Sequence, residues 1–266
     1  MTKVLKAEII NFGNELLIGR IVNTNANWIA SKLTELGLSV TRITTLSDDF
    51  TDLKTGFMEA INRRPDTIIS TGGLGPTWDD RTSEGLALAL GLKLERNEVA
   101  LEMIKKRYNS IGAKINPSSI KMANLPLGST PLFNSAGTAP AIRHQKNKVT
   151  IFCIPGIPNE MKVVFDEHIL PELKSREDKT SFFQEEFTIE GIGESRLAHV
   201  TEELTEKYSQ IYIKSHPTHE MTSEGLKSVI TFHLTAYGNE NIKETLQKVK
   251  ESLQSKLLDL GANIVK

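Results

Sequence analysis

The feature that most constrains this chain is the run TIIST, Thr67 to Thr71, followed directly by GGLGPTWDDRT and then by SEGLALAL. A short apolar run bounded by Pro65 and Asp66 on one side and glycines on the other is too short for a buried helix. It reads as a strand covered on both faces. SEGLALAL has helix-forming composition and stops at Gly91, so strand, glycine-rich loop and helix follow in order. A strand buried on both faces requires a mostly parallel sheet between two helical layers.

The same alternation runs through the first 170 or so residues. AEIINFG reads as a strand ending at Gly13, and Asn23 or Thr24 caps a helix carrying Trp28, Ile29, Leu33 and Leu36 at helical spacing, with Gly37 as its stop. VTRITTLS reads as a second strand, followed by helices over about Phe50–Arg63 and Asn97–Tyr108. The proline- and glycine-rich middle, Asn116 to Lys148, predicts short strands and turns rather than helices. VTIFCIPGIPNEMKVVF restores the strand–turn–helix order, with Pro158 in the first helical turn. The expected fold is α/β, a three-layer αβα arrangement over residues 1–174, with the charged stretch PELKSREDKT as the boundary. Residues 181–266 predict a small α+β module with strands at FFQEEFTIEG, IYIKSHP and SVITFHLTAYG and helices at GESRLAHVTEELTEKY and NIKETLQKVKESLQSKLLDLG. His216 and His219 straddle Pro217 and are expected on a surface loop.

A net charge of -1 with 24% charged residues gives no support to a partner held by phosphate neutralisation, so nucleic acid is not expected. Cys153 cannot form an internal disulfide and lies in an apolar run, where a free thiol acts as a small hydrophobe. No apolar stretch approaches a membrane span, and the amino terminus is too charged for a signal peptide. A cytoplasmic protein is expected.

In open parallel sheets the ligand sits at the carboxyl ends of the strands, here the loops GNELLIGRIVNTN, SDD and TGGLGPTWDD. Gly72, Gly73 and Gly75 let backbone N–H groups approach a phosphate, although such loops also serve as plain turns. Asp79 and Asp80 would repel a phosphate unless a divalent cation intervenes or one acts as a general base, and Asp80 has helix capping as its structural alternative. With Asp48 and Asp49 they form an oxygen-rich set suited to magnesium or manganese. Asn14, Glu15 and Asn23 offer hydrogen bonds to hydroxyls or a base edge, and Thr138 and Glu160 are candidates from SAGTAPA and PGIPNEM.

TGGLGPTWDDRT resembles the loop TGGxGPxxxDxT of the molybdopterin-binding domain family, matching at Thr71, Gly72, Gly73, Gly75, Pro76, Asp80 and Thr82. The stretches GNELLIGRIVNTNANWIASKL, AGTAP and PGIPNEM, the last beginning at Pro155, narrow the resemblance to the CinA (competence- and damage-inducible protein) branch. The second module is similar to the KH-type domain of CinA proteins, with GIGES as the local match; a KH clamp needs GXXG, and GIGE lacks the second glycine. The resemblance implies hydrolysis of a nucleotide pyrophosphate such as ADP-ribose with a divalent metal (magnesium, manganese or cobalt) held by Asp48 and Asp80. Its alternatives are molybdopterin binding or adenylyl transfer, which in the pterin relatives involve the aspartates matching Asp80 and Asp48, or a binding module without turnover. A homo-oligomer is expected. Because the chain stops at Lys266, the nicotinamide mononucleotide deamidase domain of CinA proteins is expected to be absent. Asn14 and Asn23 depart from the family, which commonly has aspartate there, so two possible ligands are neutral amides.

Overall fold

A computed structural model describes residues 3–176, 180–222 and 225–265, with the side chains of 219–227 outside the described set. The chain forms two compact units, one of Leu5–Lys179 and one of Thr180–Lys266 with the residues before Leu5.

In the first unit the elements run β1 (Lys6–Phe12), α1 (Asn14–Leu17), α2 (Thr24–Glu35), β2 (Ser39–Leu46), α3 (Phe50–Arg63), β3 (Thr67–Thr71), α4 (Thr82–Leu90), β4 (Leu94–Arg96), α5 (Glu98–Ser110) and α6 (Pro117–Lys121). They continue with β5 (Asn124–Pro126), β6 (Thr130–Leu132), β7 (Ala141–Lys146), β8 (Val149–Ile154), α7 (Pro158–Val164), a π-helical turn (Phe165–Ile169) and α8 (Leu170–Lys174). Six strands form one sheet in the order β2-β1-β3-β8-β7-β6; the first four are parallel, and β7 and β6 run antiparallel. Strand alternation sorts the core into two layers. Ile10, Phe12, Ile68 and Ile151 pack against Leu53, Phe57, Leu86 and Ile104 from α3, α4 and α5. Ala7, Ile9, Ile69, Phe152 and Ile154 pack on the other face against Ile29 and Leu33 of α2 and Met161 of α7. Each fully buried side chain of this kind contributes roughly 1.5–3 kcal/mol.

The middle segment holds one element the sequence pattern did not anticipate. Asn116 accepts from the Ser119 N–H at 2.8 Å and Pro117 opens the turn, so α6 forms where only turns and strands were expected. A helix of five residues has no room for a periodic apolar face, which removes the usual signal.

Cys153 lies on β8 with no exposed surface, beside Ser70 of β3, and burial pushes its thiol up to about 12. Iodoacetamide is therefore expected to label Cys153 only as the chain is unfolded by denaturant. Fast labelling of the native protein would contradict this packing.

The second unit runs β9 (Ser181–Glu190), α9 (Glu194–Lys207), β10 (Ile211–Thr222), β11 (Gly225–Gly238), α10 (Glu240–Asp259) and β12 (Asn263–Ile264). Its antiparallel sheet has the order β10-β11-β9-β12, and Phe187 and Phe232 stack at 5.1 Å in a core closed by Leu246 and Leu253 of α10. The expected loop around Pro217 is instead part of β10, with Pro217 opposite Ile230 of β11. β10 is an edge strand bonded to β11 on one side only, so half of its N–H groups have no ladder partner and a proline is tolerated there. His216 is exposed and edge-on to His233 at 4.9 Å; the side chain of His219 lies outside the described residues.

Candidate functional site

From β1 the chain runs to β2 on one side of the sheet and then to β3 on the other, which puts the topological switch point between β1 and β3. At the carboxyl ends of β1, β3 and β8 lies a cleft of about 550 Å³. Ligands of open α/β sheets bind at this place.

The glycine loop forms one wall. Gly72 and Gly73 have φ of +99° and +66°, and a Cβ on Gly72 would stand 2.6 Å from the Phe12 carbonyl oxygen. Thr82 ties the loop from behind: it is fully buried, its hydroxyl donates to the Gly72 carbonyl at 2.8 Å and its N–H to the Gly73 carbonyl at 3.0 Å. The Gly72 N–H is spent on Ile154 of β8 at 3.1 Å. The next amides, of Gly73, Leu74 and Gly75, pair with no carbonyl of the described residues. Three adjacent backbone donors thus border the cleft, the arrangement that a phosphate or other anion fills.

The carboxylates of the cleft, Glu15, Asp48, Asp79, Asp80 and Glu160, come from four segments of the chain. Asp80 folds back toward Gly75 and accepts from the Thr77 N–H at 2.9 Å and the Thr77 hydroxyl at 2.6 Å. Asp80 therefore does not cap α4, whose N-cap position is Arg81 with no side-chain capping bond; the internal bonds to Thr77 hold the carboxylate away from the helix end. The same hydroxyl lies 2.5 Å from Asp79 Oδ1, and this bond holds Asp79 below the usual carboxylate range. One hydroxyl hydrogen serves both carboxylates, and their remaining oxygen lone pairs are open to a cation. Lys121 of α6 donates to the Thr77 carbonyl and braces the turn.

Asp48 accepts from the Asn14 N–H at 3.0 Å. Burial, then the nearby charges of Glu15, Asp79 and Asp80, raise its carboxyl above the ordinary aspartate range despite the Asn14 bond. A group raised on folding contributes stability below its unfolded titration and loses it as pH rises through the folded value. Asp48→Asn is therefore expected to stabilise the ligand-free protein at neutral pH, with the advantage shrinking as the solution is acidified past the aspartate range. Urea midpoints of both proteins across pH test it, and a pH-independent difference would remove the electrostatic cause.

The opposite wall brings Thr138, Pro155 and Glu160 to the cleft, joined by Ala139 and Ile157, and Glu15 reaches it from α1. Glu160 is positioned by Asn134, whose Nδ2 donates to Glu160 Oε2 at 2.7 Å and to the Ala139 carbonyl at 3.1 Å. Asn134 Oδ1 accepts from the N–H groups of Ala136 and Gly137 at 3.2 and 2.8 Å, and Arg107 of α5 donates to the carbonyls of both. Sequence reading passed over Asn134, Lys121 and Arg107. An asparagine before Ser-Ala-Gly is an available signal for Asn134, since such side chains bond the backbone two or three residues on.

Of the expected site residues, Glu15, Asp48, Gly72, Gly73, Gly75, Asp79, Asp80, Thr138, Pro155 and Glu160 line this cleft. Thr71 and Thr82 do not: both are buried behind the loop, and the Thr71 hydroxyl donates to Asn11 Oδ1 at 3.0 Å. Asn23 caps α2 by accepting from the Ala26 N–H at 3.0 Å and also donates to the Thr45 hydroxyl. Asn14 faces a smaller neighbouring cleft.

Among the described residues no group of three or more His, Cys, Asp or Glu side chains is placed to cage a metal ion. The donor set still fits a hard cation that takes one or two carboxylates and completes its shell with ligand phosphates and water, as magnesium does. No helix of the described residues is long and apolar enough to cross a membrane.

Residues 8–175 match the family model described as "Probable molybdopterin binding domain". A protein of Sulfurisphaera tokodaii is 44% identical over 262 residues, covering 97% of both chains. One of Pyrobaculum aerophilum is 41% identical over 254 residues, covering 96% of this chain and 93% of its own. The solved structure of "the protein CinA with unknown function from Thermoplasma acidophilum" is 37% identical with a TM-score of 0.60, covering 64% of this chain and 98% of that one.

Proposed function

Because the chain belongs to the molybdopterin-binding domain family, with a CinA-like first unit, we propose that the cleft binds a phosphorylated pterin of the molybdopterin type, in cofactor biosynthesis. The observation that carries this reading is the row of amides at Gly73, Leu74 and Gly75 with no carbonyl partner, in residues that line the same cleft as Asp48, Asp79, Asp80 and Glu160. The amides would take the phosphate. A carboxylate such as Glu160, held by Asn134, would accept from the paired N–H groups on the pyrimidine edge of a pterin. A cleft of about 550 Å³ suits a ligand of this size.

A divalent cation held by Asp48 and Asp80 would neutralise phosphate charge and polarise the phosphorus for attack. Adenylyl transfer is the reaction this arrangement would serve: an oxygen of the pterin phosphate attacks the α-phosphorus of ATP, and pyrophosphate leaves. A second reading is hydrolysis of a nucleotide pyrophosphate such as ADP-ribose, favoured by the placement of Asp48 and Asp79 in the same cleft as the glycine loop, where a carboxylate could orient a water toward a bound phosphate. The small second unit is read as a KH-type module without a nucleic-acid role.

Calorimetry of the purified chain with molybdopterin and with ADP-ribose, with and without magnesium, manganese or cobalt, tests the proposal. Turnover is followed as adenylylated pterin from ATP or as AMP from ADP-ribose. The expected result is tight molybdopterin binding, weakened tenfold or more by Asp80→Ala in the presence of metal. AMP release from ADP-ribose without pterin binding would favour hydrolysis, and absence of binding by either ligand would overturn both readings.

A further inference from the structure

Trp78 stands in the middle of the glycine–aspartate loop and is 87% exposed, the most exposed of the large apolar side chains among the described residues. An indole left in water on a loop so heavily tied is not there for packing. Thr77 beside it is anchored by its bonds to Asp79 and Asp80 and by Lys121, so the ring projects from a braced turn. It borders a side cleft of about 300 Å³ whose other walls include Asn14, Phe50 and Arg81. The Arg81 guanidinium lies over the Phe50 ring at 4.1 Å and is held by Glu84 at 2.8 Å. Asp48 and Asp79 line both this cleft and the larger one, so the two are joined along a shared acidic edge.

Two aromatic rings, a fixed guanidinium and a primary amide are what a planar nitrogen heterocycle requires: π-faces to stack on, a cationic plane, and donors and acceptors for its edge. A phosphate alone would gain nothing from Trp78 or Phe50. An apolar peptide would gain nothing from Asn14 and would meet three aspartates, Asp48, Asp49 and Asp79.

We propose that the side cleft is a stacking subsite, in which Trp78 covers the planar heterocycle of a ligand whose phosphate lies along Gly73–Gly75. Nucleobase and pterin share this chemistry, and the volume accommodates either ring system. The inference rests on the phosphate reading of the glycine loop and adds the residue that selects for an aromatic ligand. Trp78 makes no part of the loop's own hydrogen-bond scaffold, so replacing it leaves the fold intact.

Binding of AMP, neopterin phosphate and ribose 5-phosphate is compared for the full chain, Trp78→Ala and Trp78→Phe, with indole fluorescence as a second readout. Stacking of one heterocycle on an aromatic side chain predicts a loss of about 10- to 100-fold for AMP, neopterin phosphate or both in Trp78→Ala, with Trp78→Phe close to wild type. Ribose 5-phosphate, which has no ring to stack, is expected to bind all three proteins equally. Quenching of the wild-type indole by the heterocyclic ligand and not by ribose 5-phosphate is also expected. The arm that responds, AMP or neopterin phosphate, identifies the heterocycle. Unchanged affinity of both heterocyclic ligands in Trp78→Ala, with ribose 5-phosphate still bound, would overturn the subsite and leave the phosphate reading standing. Failure of the wild-type chain to bind any of the three would overturn both.

Discussion

Substituting Gly73 with valine is expected to cost about 3 kcal/mol of stability and to abolish ligand binding in the main cleft. Two effects add at this position. The backbone φ of +66° is one that a β-branched residue rarely adopts. A Cβ would also run into the Thr82 hydroxyl, which is buried and bonded to the Gly72 carbonyl at 2.8 Å. Gly91 provides the internal control, because it has a similar φ of +69° with nothing within 4 Å of a Cβ. Gly91→Val should therefore show the backbone strain alone, about 1–2 kcal/mol, and leave the cleft intact. Urea unfolding of the two variants measures the difference. Equal costs would mean that the contact with Thr82 does not hold the loop.

Asn134→Ala is the second large effect, about 3 kcal/mol. Asn134 is 2% exposed and serves four partners at once: the N–H groups of Ala136 and Gly137, the Ala139 carbonyl and the Glu160 carboxylate. Truncation leaves these groups without the side chain that satisfies them, at the point where the loop carrying Thr138 turns toward the cleft. Ligand affinity should fall with stability, since Thr138 and Glu160 both depend on this residue for their positions. A stable variant with unchanged affinity would show that the second wall is held by other contacts, with Arg107 the candidate.

Much of the first unit was legible along the chain because its signals are local. TIIST, AEIINFG and VTIFCI are apolar runs of strand length, and each is a parallel strand of the main sheet. Asn23, Asn97 and Gly91 mark helix ends through side-chain caps and a left-handed stop that need only neighbouring backbone. Pro217 misled for the opposite reason. Proline signals a turn only if its missing N–H would be needed in a ladder, and whether β10 is an edge strand depends on where β11 and β9 lie.

The site divides in the same way. That the loops after β1, β2 and β3 would meet followed from alternating strands and helices, and the glycines and aspartates of TGGLGPTWDD marked the place. Residue type alone could not separate Gly73, which faces the cleft, from Thr82, which matches the same motif and is buried behind it. Nor could it show that Asp80 turns inward to Thr77 instead of capping α4, or that Asn23 is committed to the α2 cap.

The chain by itself determined the parallel α/β architecture, the glycine loop and the identity of the acids, because hydrophobic period, turn chemistry and composition are written residue by residue. Only the tertiary structure decided which amides stay open, which carboxylates share a hydroxyl, and that Asn134 from a distant loop holds Glu160 in the opposite wall. Those are properties of approach between segments far apart in sequence, and approach is set by packing across the sheet.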